Sequence, residues 1–293
     1  MRIGAFEVQG PLPELKAPYV FANLRPWVDV NKVGTLVLKE LETQFEAKGL
    51  AKFAKPGHFF DFTRYRPTLY LEQGVRRVSI PNVRLRYAKR EENDFLFLHL
   101  LEPHAFSEAY IDSVLKIFKT FKVKKYIVLG SMYDMVPHTR PLILHGGGVG
   151  REAERDLKKA GVSPSRYQGP TSITTLISHQ APEFGVETVR FTVSLPQYVV
   201  VEEDYMGKVR LMETLNLLYN IPMNEDDLEK AREQRGLISQ KVERSPELKQ
   251  ILPQLESMYD VRVKSGGRGE TPEISTDIEE MLLTIKDKDF GKA

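Results

Sequence analysis

Short apolar runs, rich in β-branched and aromatic residues, alternate with polar segments along much of the 293-residue chain. Such runs are typical of buried strands. They predict core strands at Ala17–Leu24, Gly57–Phe62, Asp94–Leu101, Lys124–Gly130 and Glu187–Leu195. A further segment, TLYLEQGVRRVSIP, predicts a β-hairpin that turns near Gln73 and Gly74.

The segments between these strands carry apolar residues at the three- and four-residue spacing of one helix face. One such stripe consists of Val33, Leu36, Val37 and Leu41. FSEAYIDSVLKIFKTF shows the same pattern, and a third helix, Arg151–Ala160, is expected to stop at Gly161. Strands that alternate with helices predict an α/β fold with a mostly parallel central sheet, covered by helices on both faces.

The character of the sequence changes after about Pro222, where a strongly charged helical stretch begins. Asn224 is a suitable N-cap for it, and acidic residues fill its first turn. Beyond it, a glycine-rich linker precedes a short amphipathic helix with a capping box at Thr276 and Glu279. We therefore expect a core domain (1–222), a C-terminal helical appendage (223–263), and a flexible linker with a short amphipathic helix (264–293).

The composition limits the classes of partner. Hydrophobic residues make up 41% of the chain and charged residues 28%, which suits a globular protein with a sizeable core. The net charge of +2 gives no support for nucleic acid as a partner. The absence of cysteine excludes disulfides, thiolate metal sites and cysteine nucleophiles. No apolar segment has the length of a signal peptide or a membrane span, so we expect a cytoplasmic protein without a membrane partner.

Three motifs could carry chemistry, but none is complete. The glycine run HGGGVGRE (His145–Glu152) matches neither a P-loop nor G-x-G-x-x-G, and we expect it to form a tight turn. The segment His99–His104 has two imidazoles and a carboxylate, but its spacing matches no zinc-protease motif. Ser131 and His138 lack the G-x-S-x-G elbow of serine hydrolases. No catalytic residue, metal or cofactor is predicted.

Charged side chains at the predicted strand ends would meet at one edge of a parallel sheet. The candidates for this polar edge are Arg25, Asp29, Asp61, Arg64, Arg66, Glu102, Asp134, His138 and Arg140. The predicted strand Lys124–Gly130 ends before Asp134, His138 and Arg140, so these three residues are expected on a loop. Arg64 and Arg66 could clamp a carboxylate or phosphate, or pair with nearby acidic residues. The edge is either a ligand pocket or a polar network that shapes loops for a partner.

Several motifs together resemble the proteasome assembly chaperone (PAC2-like) family, particularly its long bacterial form. They are LRPWVDVNKVG, DFTRYRP, LLEPH, VLGSMYD with VPHTRP, YQGPTSITTLI and LPQLESMYD, in this order. The resemblance covers roughly Tyr19 to Asp260. Because the motifs occur as an ordered set, they are far more specific together than any one is alone.

The resemblance implies a three-layer α/β/α fold similar to the phosphorylase/hydrolase fold of nucleoside phosphorylases. It also implies self-association, and a proteasome-like or other protein client, since the eukaryotic relatives scaffold proteasome α-subunits. Some archaeal relatives dock on the proteasome through a C-terminal tail that contains tyrosine. This chain ends in KDKDFGKA, so docking of that kind is not expected.

Two hypotheses about function follow. The favoured one is a non-catalytic assembly chaperone or scaffold that acts through protein–protein contacts. The alternative is a small-molecule-binding protein or enzyme, similar to nucleoside phosphorylases and hydrolases, that uses the polar edge. We also predict a homo-oligomer, with a trimer as the candidate stoichiometry. The apolar surface of GHFFDF, of the hairpin and of the last amphipathic helix motivates that prediction.

Overall fold

The computed structural model of the protein describes residues 1–165 and 167–264, and the predicted tail helix with Thr276 and Glu279 lies outside them. The strands of the described residues are β1 (Arg2–Ile3), β2 (Phe6–Val8), β3 (Tyr19–Arg25), β4 (Lys48–Phe53), β5 (Thr68–Glu72), β6 (Val75–Ser79), β7 (Arg84–Ala88), β8 (Phe95–Leu101), β9 (Lys125–Asp134), β10 (Leu144–Val149), β11 (Ser163–Pro164) and β12 (Glu187–Pro196). The α-helices are α1 (Val33–Gln44), α2 (Ser107–Phe121), α3 (Arg151–Lys159), α4 (Ile173–Gln180), α5 (Tyr205–Tyr219), α6 (Glu225–Arg244) and α7 (Pro246–Lys264).

The central sheet contains ten of these strands, in the order β1-β2-β4-β7-β8-β3-β9-β12-β10-β11. Its four middle strands, β8, β3, β9 and β12, are mutually parallel. All seven residues of β8 are buried, as expected for a strand covered on both faces. The predicted α/β/α fold with its parallel centre is thus confirmed. Antiparallel strands extend the sheet on both sides, from β7 outward on one and at β10 on the other.

The helices form two layers that bury alternate residues of each middle strand. Phe21 of β3 joins a cluster with residues of α1, α3, α5, α6 and α7. Its neighbour Val20 points the other way, into a cluster with α2 and α4. The helices after Pro222 therefore share a hydrophobic core with the sheet. None of the described helices is long and apolar enough to cross a membrane.

The start of α6 follows the prediction. The side chain of Asn224 accepts a hydrogen bond from the backbone N–H of Asp226 at 3.0 Å, and three acidic residues occupy the first turn. A buried ion-pair network then ties this helix to its neighbours. Lys208 of α5 contacts Asp227 of α6, and its Nζ lies 3.2 Å from a carboxylate oxygen of Glu40 on α1.

The strand predicted at Gly57–Phe62 is wrong. Pro56 opens a short 3₁₀ helix, and the chain then turns so that Phe59 and Phe60 both enter the core. Their rings pack against those of Phe53 and Tyr110. The apolar run therefore contributes aromatic side chains to the core and does not form a strand. The strand that precedes this segment in the sequence is β4.

The tight turn predicted for the glycine run His145–Glu152 is also wrong. Most of the run is strand β10, which pairs with β12 along its whole length. A Cβ on Gly148 would meet the carbonyl oxygen of Thr188 at 2.6 Å, so the glycine permits close backbone packing. The positive φ of 116° occurs at Gly150, directly before α3.

The predicted hairpin is confirmed and consists of β5 and β6. Gln73 and Gly74 have φ values of 50° and 78°, the left-handed pair that a type I′ turn requires. The two strands pair only with each other within the described part of the chain. All ten of their residues are exposed.

Lys208→Ala tests whether the buried network holds the C-terminal helices to the core. Removal of the lysine leaves the carboxylates of Glu40 and Asp227 unpaired, so we expect the free energy of unfolding to fall by about 3–5 kcal/mol. Urea denaturation measures the change. As a control, Glu202→Ala breaks the exposed Lys32–Glu202 pair and should cost less than about 1 kcal/mol. Equal losses in the two variants would contradict the role of the network.

Candidate functional site

Strand β9 ends later than the sequence predicts, because it continues four residues beyond Gly130, to Asp134. Its backbone pairs with β12 as far as Asp134, which is opposite Pro196. The expectation that Asp134 lies on a loop is therefore wrong, although His138 and Arg140 do follow the strand on a loop. Ser131 is likewise a buried strand residue, and its hydroxyl donates to the carbonyl oxygen of Val30 at 2.7 Å.

Asp134 is mostly buried and has four polar neighbours. It accepts hydrogen bonds from the Ser194 hydroxyl at 2.7 Å and from the backbone N–H of Met135 at 2.8 Å. Nη1 of Arg262, on α7, lies 3.0 Å from the carboxylate, and Nε2 of His145 lies 3.7 Å from it. Burial would raise the pKa of Asp134, but the contact with His145 and the charge of Arg262 outweigh burial and hold this pKa well below its usual range.

His138 is 1% exposed and both of its ring nitrogens have partners. Nδ1 lies 2.8 Å from the Tyr198 hydroxyl, and Nε2 lies 3.2 Å from the hydroxyl of Ser239 on α6. The His138 backbone N–H also donates to Tyr198, at 2.7 Å. Burial lowers the pKa of His138, which favours the neutral ring. The imidazole therefore joins the loop to α6 and has no free nitrogen to act as a base.

Arg140 attaches the same loop to α7. Its guanidinium contacts Glu256 and Asp260, each at 3.2 Å. Between these two residues, the Tyr259 hydroxyl donates to the carbonyl oxygen of Pro141 at 2.7 Å. Asp134, His138 and Arg140 thus form what we call the helix clamp, since each contacts α6 or α7.

Asp29 shapes the segment between β3 and α1. Its carboxylate accepts from the backbone N–H of Thr35 at 3.0 Å, from the Thr35 hydroxyl at 2.5 Å and from the Asn23 amide at 3.4 Å. Burial raises the pKa of Asp29, against the opposing effect of the Thr35 hydrogen bonds. With both oxygens occupied at the start of α1, Asp29 acts as a structural cap.

Glu102 follows β8 and contacts α4. One carboxylate oxygen accepts from the backbone N–H of Ile173 at 2.9 Å. The other, Oε2, is buried and has no hydrogen-bond partner among the described residues. Burial raises the pKa of Glu102.

The DFTRYRP loop is more exposed than the rest of the polar edge. Asp61 accepts from the backbone N–H and the hydroxyl of Thr63, both at 2.8 Å, and these bonds lower its pKa. Nε of Arg64 is 3.8 Å from the Asp61 carboxylate. Because Gly57–Phe62 is not a strand, Asp61 does not occupy a strand end.

A cavity of about 350 Å³ lies between the ends of β3 and β8 and the base of the hairpin. Arg25, Arg66 and Arg84 line it, together with Tyr65 and Leu101. Arg84 is not among the residues predicted for the polar edge, although its place in the alternating segment VRLRYA was a usable strand signal. A second cavity, of about 410 Å³, lies between the loop after β12 and the junction of α6 with α7. No group of three or more metal-binding side chains occurs among residues 1–165 and 167–264.

Comparison with known proteins gives a consistent result. A family model described as the PAC2 family matches residues 24–242. A Mycobacterium tuberculosis protein of unknown function is 25% identical, with a TM-score of 0.77 over 90% of this chain and 92% of that one. No curated protein sequence matches the chain.

Two further solved structures share the fold at lower sequence identity. A PAC2 family protein from Streptomyces avermitilis is 22% identical, with a TM-score of 0.70 over 76% of this chain and 95% of that one. A proteasome-assembly chaperone homologue from Mycobacterium tuberculosis is 20% identical, with a TM-score of 0.70 over 79% of this chain and 98% of that one.

Asp134→Asn should make stability less dependent on pH. The folded-state pKa of Asp134 lies below the unfolded value of about 4. The stabilisation from this carboxylate is therefore present above about pH 4 and is lost as the pH falls below it. We expect the variant to lose about 2 kcal/mol at pH 7 and less at pH 3.

Urea denaturation from pH 7 to pH 3 measures this difference. Asp112→Asn, at an exposed position of α2, controls for the loss of one negative charge. A wild-type advantage over Asp134→Asn that stays constant, or grows as the pH falls, would contradict the assigned role.

Proposed function

Because the chain belongs to the PAC2 family, we propose that it is a non-catalytic assembly chaperone or scaffold that acts through protein–protein contacts. The family assignment confirms the resemblance that the sequence motifs indicate. A structural neighbour named as a proteasome-assembly chaperone homologue supports a proteasome-related client. A cytoplasmic location is part of the same proposal.

The observation that carries the proposal is the exposed apolar face of the β5–β6 hairpin. Leu69 and Val78 are a cross-strand pair, and Leu71 lies on the same face two residues along β5. These three side chains are 62%, 60% and 71% exposed, in that order. A two-stranded hairpin is marginally stable alone, and exposed apolar surface of this kind marks protein-interaction sites.

We assign this face to a second copy of the same chain, which makes the protein a homo-oligomer with a trimer as the candidate stoichiometry. Among the described residues, each hairpin strand pairs along one edge only, and an identical strand from another copy supplies a matching set of backbone donors and acceptors for the other edge. Phe59 and Phe60 of GHFFDF do not contribute, because both are buried. The last predicted amphipathic helix lies outside the described residues, so we assign self-association to the hairpin alone.

The helix clamp supports a scaffold rather than an enzyme. Asp134, His138 and Arg140 are the residues that a catalytic use of the loop would need. Each of them is occupied by contacts with α6 or α7 or with neighbouring strands. The alternative of a small-molecule site is favoured by a different observation, the arginine-lined cavity.

Leu69→Glu combined with Leu71→Glu should disrupt self-association. Two carboxylates on the apolar face would have to lose their hydration at the contact, which is unfavourable. We expect light scattering at micromolar concentration to show an oligomer for the wild type and a monomer for the double variant. Leu237→Glu, at a 60% exposed leucine of α6, is the matched control and should remain oligomeric. A monomeric wild type would contradict the assignment.

A tagged pull-down from the native lysate, read by mass spectrometry, tests the client. We expect a proteasome subunit in stoichiometric amount with the bait. Recovery of the bait alone, or of an unrelated stoichiometric partner, would contradict a proteasome-related role. Protein from the untagged strain, passed over the same resin, gives the background.

A further inference from the structure

We propose that the cavity between the hairpin base and the ends of β3 and β8 binds the phosphate group of a small phosphate monoester. We call it the arginine cavity, defined by Arg25, Arg66 and Arg84. Its volume of about 350 Å³ is within the range of small-molecule sites. The inference goes beyond the proposed scaffold role and uses none of the apolar hairpin residues that support that role.

The three guanidiniums of the cavity are available to bind an anion. None of them forms an ion pair with another described residue, unlike Arg64, Arg77 or Arg86 nearby. Nε of Arg25 is buried and has no hydrogen-bond partner among the described residues. A buried donor without an acceptor is unfavourable, and a bound anion would remove that cost.

The carboxylates of Asp29 and Glu102 form no ion pair with these arginines. Asp29 directs its oxygens to Thr35 and Asn23. Glu102 accepts from the backbone of Ile173, and burial raises its pKa. Burial, followed by the charge of Arg84, lowers the pKa of Arg25, and the opposing charge of Asp29 does not reverse this shift. The cavity therefore has a surplus of positive charge.

The number of guanidiniums favours a phosphate over a carboxylate. A phosphate monoester has three terminal oxygens and close to two negative charges at neutral pH, so several arginines can bind it at once. A carboxylate has two oxygens and one charge, and would leave most of the positive charge unbalanced. The cavity exceeds the size of a phosphate, and Tyr65, Ile80 and Leu101 provide an apolar wall for the organic part of the ester.

Isothermal titration calorimetry of the full chain with phenyl phosphate tests the proposal. We expect saturable binding with one ligand per chain, competition by inorganic phosphate, and no binding of phenol. Arg66→Ala and Arg84→Ala remove exposed side chains, and each should weaken the affinity at least about tenfold. Arg76→Ala is the matched control, because Arg76 is an exposed hairpin arginine that does not line the cavity.

Three results would overturn the proposal. The first is the absence of saturable binding of phenyl phosphate to the wild type. The second is an equal loss of affinity in Arg76→Ala and the two cavity variants, which would indicate diffuse surface charge. The third is benzoate binding as tightly as phenyl phosphate. Thermal melting of each variant verifies that its fold is intact.

Discussion

Burial of the four parallel strands on both faces is the constraint on which the rest of this structure depends. Strands β8, β3, β9 and β12 carry apolar side chains toward both layers, so each layer must cover its side completely. Helices α2 and α4 cover one face, and α1, α3, α5, α6 and α7 together cover the other. Val242 and Leu248 lie in the same cluster as Phe21 for this reason. The C-terminal helices are therefore part of the packing of the sheet.

This requirement explains the fate of the polar residues at the strand ends. A loop that must hold two helices needs directional contacts, and ion pairs and hydrogen bonds provide them. Asp134, His138 and Arg140 are used in this way, and Tyr198 and Arg262 complete the set. Polar residues at the carboxyl ends of parallel strands often mark ligand sites. Here most of them fix helices, whereas Arg25 and Arg66 line the arginine cavity.

Features governed by local periodicity could be predicted from the sequence. The four central strands, the helices α1, α2 and α3 and the I′ hairpin follow from apolar spacing or turn chemistry. Strand β4 could not, because Lys48 and Lys52 interrupt its short apolar pattern at the sheet margin. The partner of Asp134 could not either, since Arg262 lies far along the chain and only the fold brings the two together. The strand that carries Arg84 had a usable signal in VRLRYA, but its place in the cavity could not be predicted, because the cavity is formed by segments that are distant in sequence.

Strand β9 extends further than its neighbour β3, and this difference separates two parts of the sheet edge. Tyr19 is level with Lys125, and β9 continues past the height at which β3 ends, to Asp134. At the carboxyl edge of the sheet, β8 and β3 therefore end earlier along the strand direction than β9 and β12 do. The segment before α1 lies beside the part of β9 that extends beyond β3, where Asp29 forms a β-bridge with Ser131. The arginine cavity lies at the ends of β3 and β8, and the helix clamp begins at the end of the longer strand β9. The residues of the cavity and those of the helix clamp are therefore two separate sets, at different positions along the strand direction.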